Sequence, residues 1–236
     1  MLTEKKRKKK KDKKEDAPVE ESVATPDSDE ESSSSPLLLD FSSLSPQEPP
    51  KIRAMGIYGT INEERCSEAM YSLVVLSDSG KREELEDPED PNSKLITTCE
   101  PIDFYISTYG GSATDMFAVY DTVRYVREDC PVRTIGLGKV MSAGVLLLAS
   151  GTKGERRIGA NCRVMIHGVM SGQSGHLHDL ENEMEEAKFT QKQYVKALAK
   201  ETNMTEKYIK KLMDKKINVY LDAEEAVDLG IADIII

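Results

Sequence analysis

Two residues 25 positions apart carry the strongest chemical signal in the sequence. Ser142 stands within Gly138-Lys139-Val140-Met141-Ser142-Ala143-Gly144, and His167 ends the run Arg163-Val164-Met165-Ile166-His167. The pattern around Ser142 predicts a junction between a strand and a buried helix, where the first helical N–H groups lack intrahelical acceptors and the helix dipole is positive. Those conditions stabilise an oxyanion. A lone serine at such a junction is also an ordinary helix cap. Gly110-Gly111 predicts a second special place, beyond a strand and before a helix, where backbone approaches a ligand closely and presents its amides. Without a ligand the pair is simply a tight turn. His167 makes the serine more telling. A helix of about nine residues leaving Ser142 runs on the order of 13 Å, and a turn plus a strand of roughly five to seven residues returns over the same span. His167 can thus come back to Ser142 as a general base, which suits the pair to nucleophilic acyl transfer.

The elements that must hold these groups alternate between β-rich and helical runs from residue 54 onward. Met55-Gly56-Ile57-Tyr58-Gly59 predicts a strand and residues 63–77 a helix. Asp78 to Asn92, acidic and proline-containing, predicts an exposed loop. A strand over Ile102 to Ser107, a helix over Ala113 to Arg127, a strand over Val132 to Leu137, an apolar helix over Ser142 to Ser150 and a strand over Arg163 to His167 follow. This alternation is the signature of βαβ units and a largely parallel sheet, an α/β class. Beyond it, Leu177, Leu180, Met184, Ala187, Tyr194 and Leu198 recur at helical spacing and predict one long amphipathic helix, its stripe being core or subunit interface. Thr205 predicts the N-cap of a second helix carrying Ile209, Leu212 and Met213. Asp222 and Glu225 predict a capping box for a short helix that Gly230 closes before a terminal strand at Ile234 to Ile236.

Composition sets the bounds. Residues 1–51 run from a basic block, Lys5 to Lys14, through acidic and Ser-rich sequence to Ser-Pro-Gln-Glu-Pro-Pro. They predict a disordered, charged, low-complexity tail ahead of one folded domain over 52–236. A lysine block can bind nucleic acid, but a net charge of −10 argues against a nucleic-acid-binding core. The charged start leads into no apolar h-region, so it does not read as a secretory signal. No stretch approaches the roughly 20 apolar residues of a membrane helix. Cys66, Cys99, Cys130 and Cys162 form no C-x-x-C pair, a poor arrangement for metal or redox chemistry, and a reducing, cytoplasmic compartment fits best. Gly136-Leu137-Gly138-Lys139 lacks the spacing and the Ser/Thr of a phosphate loop, which speaks against ATP hydrolysis by this chain. His176-x-His178-Asp179 reads as a solvated helix start sooner than as a metal site. No cofactor and no metal are expected.

Several motifs then share one order. Phe104-Tyr105-Ile106-Ser107-Thr108-Tyr109-Gly110-Gly111, Tyr120-Asp121-Thr122, Met141-Ser142-Ala143-Gly144, Arg163 to His167, and Ala223-Glu224-Glu225-Ala226-Val227 with Leu229-Gly230-Ile231-Ala232-Asp233 resemble the motif series of the Clp protease proteolytic subunit (ClpP) family over roughly residues 52–236. The resemblance implies a ClpP/crotonase-like α/β fold of repeated ββα units with a C-terminal helical handle. It implies Ser142 as nucleophile, His167 as base, and the backbone amides of Gly111 and Ala143 as the oxyanion hole. Gly110, Gly168, Gly172, Gln173 and Ser174 would bind substrate, the stretch 168–175 resembling the family's handle strand, where an extended peptide adds by β-pairing. A stacked-ring homo-oligomer, or a mixed ring with a paralogue, would enclose the sites, with residues 176–200 between rings, a polypeptide substrate inside and an AAA+ unfoldase as a possible partner.

The sequence departs from that family at three places. The usual triad Asp aligns with Asn218, which accepts a hydrogen bond from His167 but cannot match the imidazolium with a full charge; Asp214 and Asp222 are neighbouring alternatives. The family's N-terminal gating segment is replaced by the charged tail, and the acidic insert at about 78–92 would lie on the unfoldase-docking side. Three function classes follow: a serine endopeptidase working through an acyl-enzyme, a weakly active or non-catalytic ring subunit, and an acyl-CoA enzyme of the crotonase type. The Ser142/His167 pair disfavours the last, which typically relies on carboxylates. An α/β-hydrolase is disfavoured by Val140, where its elbow needs glycine.

Overall fold

The computed structural model describes residues 52–172, 174–214 and 218–236; the expected tail over 1–51 and the candidate Gln173 lie outside the described residues. In chain order the elements are β1 (Ala54–Ile61), α1 (Glu63–Ser79), β2 (Lys81–Leu85), β3 (Leu95–Cys99), β4 (Ile102–Gly111), α2 (Ala113–Val126), β5 (Val132–Met141), α3 (Ala143–Ala149), β6 (Arg157–Ile158), β7 (Arg163–Ile166), α4 (Leu177–Glu201), α5 (Glu206–Met213), β8 (Val219–Leu221), α6 (Ala223–Asp228) and β9 (Ile234–Ile235).

β4 is central because period-2 alternation puts Ile102, Phe104, Ile106 and Thr108 into the core while the residues between them are more accessible. It pairs in parallel with β1 on one side and β5 on the other. The first half of β5 continues in parallel to β6, and β6 to β9; its last residues pair in parallel with β7, which takes β8 antiparallel. Among the described residues, seven strands thus share one mixed, mostly parallel sheet. Helices cover it, as parallel crossovers require. α1 starts where Asn62 Oδ1 accepts the Arg65 N–H, and α2 where Ser112 Oγ accepts the Asp115 N–H. α3 is buried along its whole length, and Leu146, Leu147 and Leu148 pack with Phe104, Ile106 and Met116 in the core. The expected α/β class is therefore observed.

One expectation needs correction, and another meets an observation that runs against it. The segment after α1 is not all loop: β2 and β3 form a separate antiparallel hairpin, with Lys81 opposite Cys99 and Leu85 opposite Leu95. Cys99, at its base, is disulfide-bonded to Cys130 behind α2. Spacing along the chain gave no sign of this pair, and a disulfide runs against a reducing compartment. Cys66 and Cys162 are free and buried.

The end of α4 is tied to α2 and to the segments leading into β6 and β9 by a largely buried ionic network. Glu201, 1% exposed at the end of α4, accepts two hydrogen bonds from Arg127, at 3.0 and 2.9 Å, and one from the Tyr120 hydroxyl at 2.9 Å. Arg156 donates to the Glu201 carbonyl at 2.7 Å and to Asp233 Oδ2 at 2.8 Å. Burial alone would raise the Asp233 carboxyl, but the hydrogen bonds and charge of Arg156 outweigh it and hold the group below its ordinary value.

Candidate active site

Ser142 sits where β5 becomes α3, and the backbone turns sharply there. Its φ of 55° and ψ of −122° make it the non-glycine residue with positive φ among those described. Such a conformation costs about 1–3 kcal/mol and persists only where its surroundings hold it. They do. The Ser142 N–H donates to the Met165 carbonyl of β7 at 2.8 Å, its carbonyl accepts the Val145 N–H at 3.0 Å, and the same carbonyl accepts the Tyr194 hydroxyl of α4 at 3.0 Å. The side chain is thereby left free of any cap bond to its own helix.

The hydroxyl finds the imidazole instead. His167 follows the last residue of β7, and its Nε2 lies 2.8 Å from Ser142 Oγ. The parallel register of Met141 with Met165 brings the end of β5 beside the end of β7 and so closes the chain distance between the two residues. Gly110 and Gly111 stand on the other side. Gly110 has φ 95°, and a Cβ added there would meet Ser142 Cβ at 2.6 Å; one added at Gly111, φ 154°, would collide with the Ile61 carbonyl. Glycine is needed at both positions for β4 to pass so close. Buried Thr108 fixes the turn, its Oγ1 accepting the Gly110 N–H at 2.9 Å.

These groups face one cavity of about 430 Å³, lined among others by Gly110, Gly111, Ser142, Ala143, His167 and Gly168. Met116, Val169 and Met170 give it apolar walls. Ala143 is the first residue of α3, so its N–H has no acceptor within the helix. A larger cleft of about 510 Å³ between α2 and α4 contains Arg124, Phe189, Lys196 and Lys200 but neither Ser142 nor His167. The buried thiols offer no competing nucleophile, since burial pushes Cys66 and Cys162 up to about 11.

The remaining candidates fall apart from this cluster. Gly172 and Ser174 are exposed and do not line the cavity, and no strand forms over the described residues of 168–175. Asn218 is exposed and, among the described residues, has no hydrogen bond to His167. It precedes β8, whose antiparallel register sets Val219 opposite Ile166, so one further step sets the position of Asn218 opposite that of His167. Asp222 is occupied as the N-cap of α6, with a full capping box to Glu225. His178 is 92% exposed, and no cluster suited to a metal occurs among the described residues. Sequence reasoning missed Tyr194 and Gln191, the latter accepting the Val169 N–H at 3.1 Å. Tyr194 had one visible sign, a polar tip inside an apolar stripe.

The family described as Clp protease matches residues 95–236. Two curated proteins are similar over 133 residues at 39% identity: ATP-dependent Clp protease proteolytic subunit 2 of Corynebacterium jeikeium (strain K411) and subunit 1 of Corynebacterium diphtheriae (strain ATCC 700971 / NCTC 13129 / Biotype gravis). In each case the match takes in 56% of this chain and 62% of the relative's length. With a family match reaching from β3 to the final strand and across the serine and histidine that meet in the cavity, the chain belongs to the Clp protease family.

Proposed function

We propose that this chain is a serine endopeptidase subunit that cleaves polypeptides through an acyl-enzyme. One observation carries the reading: Ser142 Oγ lies 2.8 Å from His167 Nε2 at the wall of a cavity that Gly111 and Ala143 also line. With Nδ1 protonated, His167 accepts the Oγ proton at Nε2 as Oγ attacks the scissile carbonyl. The carbonyl oxygen gains the negative charge, and the amides of Gly111 and Ala143 are the groups to receive it. Collapse breaks the C–N bond, the amine leaves with the proton from His167, and water releases the acyl group by the same steps in reverse order. Gly110 and Gly168 flank the place of attack and would take substrate backbone.

The exposed position of Asn218 favours a second reading, a ring subunit of low or no activity. An Asn can orient the imidazole, but replacing the acid of such a triad by Asn costs about 10⁴ in kcat where the tautomer is lost. The ring assembly, homomeric or mixed, and docking of an AAA+ unfoldase are part of the same proposal, supported by family membership. So is a cytoplasmic setting, in favour of which stand the two free cysteines, against the Cys99–Cys130 bond. No described helix is long and apolar enough to cross a membrane.

Fluorophosphonate labelling of the purified chain, with wild type beside Ser142→Ala and Asn218→Asp, tests this. The expected result is label on wild type, none on Ser142→Ala, and peptide turnover at least about 10-fold higher for Asn218→Asp. Absence of label on wild type in every assembly state would establish the second reading.

A further inference from the structure

Tyr194 reaches the site from outside the sheet. It lies on α4, is 6% exposed, and donates its hydroxyl to the Ser142 carbonyl at 3.0 Å. That carbonyl belongs to the peptide whose other end is the Ala143 N–H. A donor on the oxygen of an amide draws density toward it and makes the N–H of the same amide a better donor, a cooperative gain of perhaps 10–30% per bond. The Val145 N–H is a second donor on the same oxygen, so two groups hold this carbonyl in place. Burial raises the Tyr194 phenol well above its ordinary value, which keeps it a donor throughout the working pH range. One helical turn earlier, Gln191 accepts the N–H of Val169, two residues past His167. A single turn of α4 therefore grips the backbone beside both reacting side chains.

We propose that Tyr194 is a positioning residue for peptide hydrolysis: its hydroxyl fixes the strained Ser142 peptide and strengthens the Ala143 N–H as an oxyanion donor. The proposal rests on the serine-peptidase reading above. It separates from mere packing because Tyr194→Phe keeps the ring and removes the donor. Removing an oxyanion donor outright costs about 10²–10³ in kcat, and a donor that is weakened and less well fixed should cost about 10-fold.

The measurement is kcat and KM on a short fluorogenic peptide, the Ki of a peptidyl trifluoromethyl ketone, and thermal melting, for wild type, Tyr194→Phe and Ser142→Ala. Expected for Tyr194→Phe is a fall of about 10-fold in kcat with KM little changed, and a matching rise in Ki, because the ketone adduct carries the oxyanion. Active-site titration should show the full complement of sites. Wild-type kcat and Ki in Tyr194→Phe would overturn the proposal, as would a lost activity explained wholly by fewer active sites or by a lowered melting temperature. If Ser142→Ala retains turnover, or wild type has none, the peptidase reading falls and takes this proposal with it. If Ser142→Ala is inactive and Tyr194→Phe is normal, only the role of Tyr194 is lost.

Discussion

The two halves of α4 share one periodic pattern and meet opposite fates. From Tyr194 to Glu201 the stripe is buried: Tyr194, Val195 and Leu198 join the core, and Glu201 is held by Arg127 and Tyr120. From Leu177 to Ala187 it is largely uncovered, with Leu177 67% and Met184 58% exposed and Leu180 and Ala187 only partly buried. An apolar face predicts that something will cover it but not whether the cover belongs to the same chain. Where the stripe outruns the sheet it stays open to solvent in the single chain, and the inter-ring position expected for residues 176–200 would cover it. The inner half is anchored by polar groups of fixed partner, and the outer half has only an adaptable face of Leu, Met and Ala.

The sharpest way to break this contrast is to cut the inner anchor. Glu201→Gln leaves Arg127 without its carboxylate and should cost about 3 kcal/mol, at the low end for breaking a buried pair because Arg127 keeps some water contact; urea denaturation gives the value. Asp233 tests the next link, since it holds the Arg156 that holds the Glu201 carbonyl. Its carboxyl titrates lower folded than unfolded, so its contribution is present above the ordinary carboxylate range and is lost as pH falls through the depressed folded value. Asp233→Asn should therefore lower stability at neutral pH, and the gap to wild type should close in acid, as melting curves over pH would show. The smallest effect belongs to the outer half. Met184→Ala should change the stability of the isolated chain by no more than about 0.5 kcal/mol, while sedimentation shows weaker association. A Met184 effect as large as that of Glu201 would end the distinction between the halves.

Much of the scaffold was legible because period and punctuation agreed. The alternation in β4, the caps Thr205 and Asp222, and the positive φ of 71° at Gly230 lie where pattern alone set them. The approach of Ser142 to His167, expected from a helix and a returning strand of similar span, comes from the parallel register that sets Met141 beside Met165. The hairpin β2–β3 was illegible for a physical reason. Lys81-Arg82-Glu83-Glu84-Leu85 has no buried face, so its pairing comes from backbone bonds and leaves no alternation to read. The Cys99–Cys130 pair is a tertiary neighbourhood, 31 residues apart in sequence. Tyr194 was hidden in another way: its ring obeyed the helical stripe, and only the packed fold brings its hydroxyl to a peptide 52 residues away.

The bond from the Ser142 N–H to the Met165 carbonyl has a mechanical consequence. It pins the backbone of Ser142 to β7, two residues before His167. When thermal motion slides β7 along its neighbour, hydroxyl and imidazole ride together like two fittings bolted to one rail. A small shift of the sheet that widens or narrows the cavity would then leave Ser142 Oγ beside His167 Nε2.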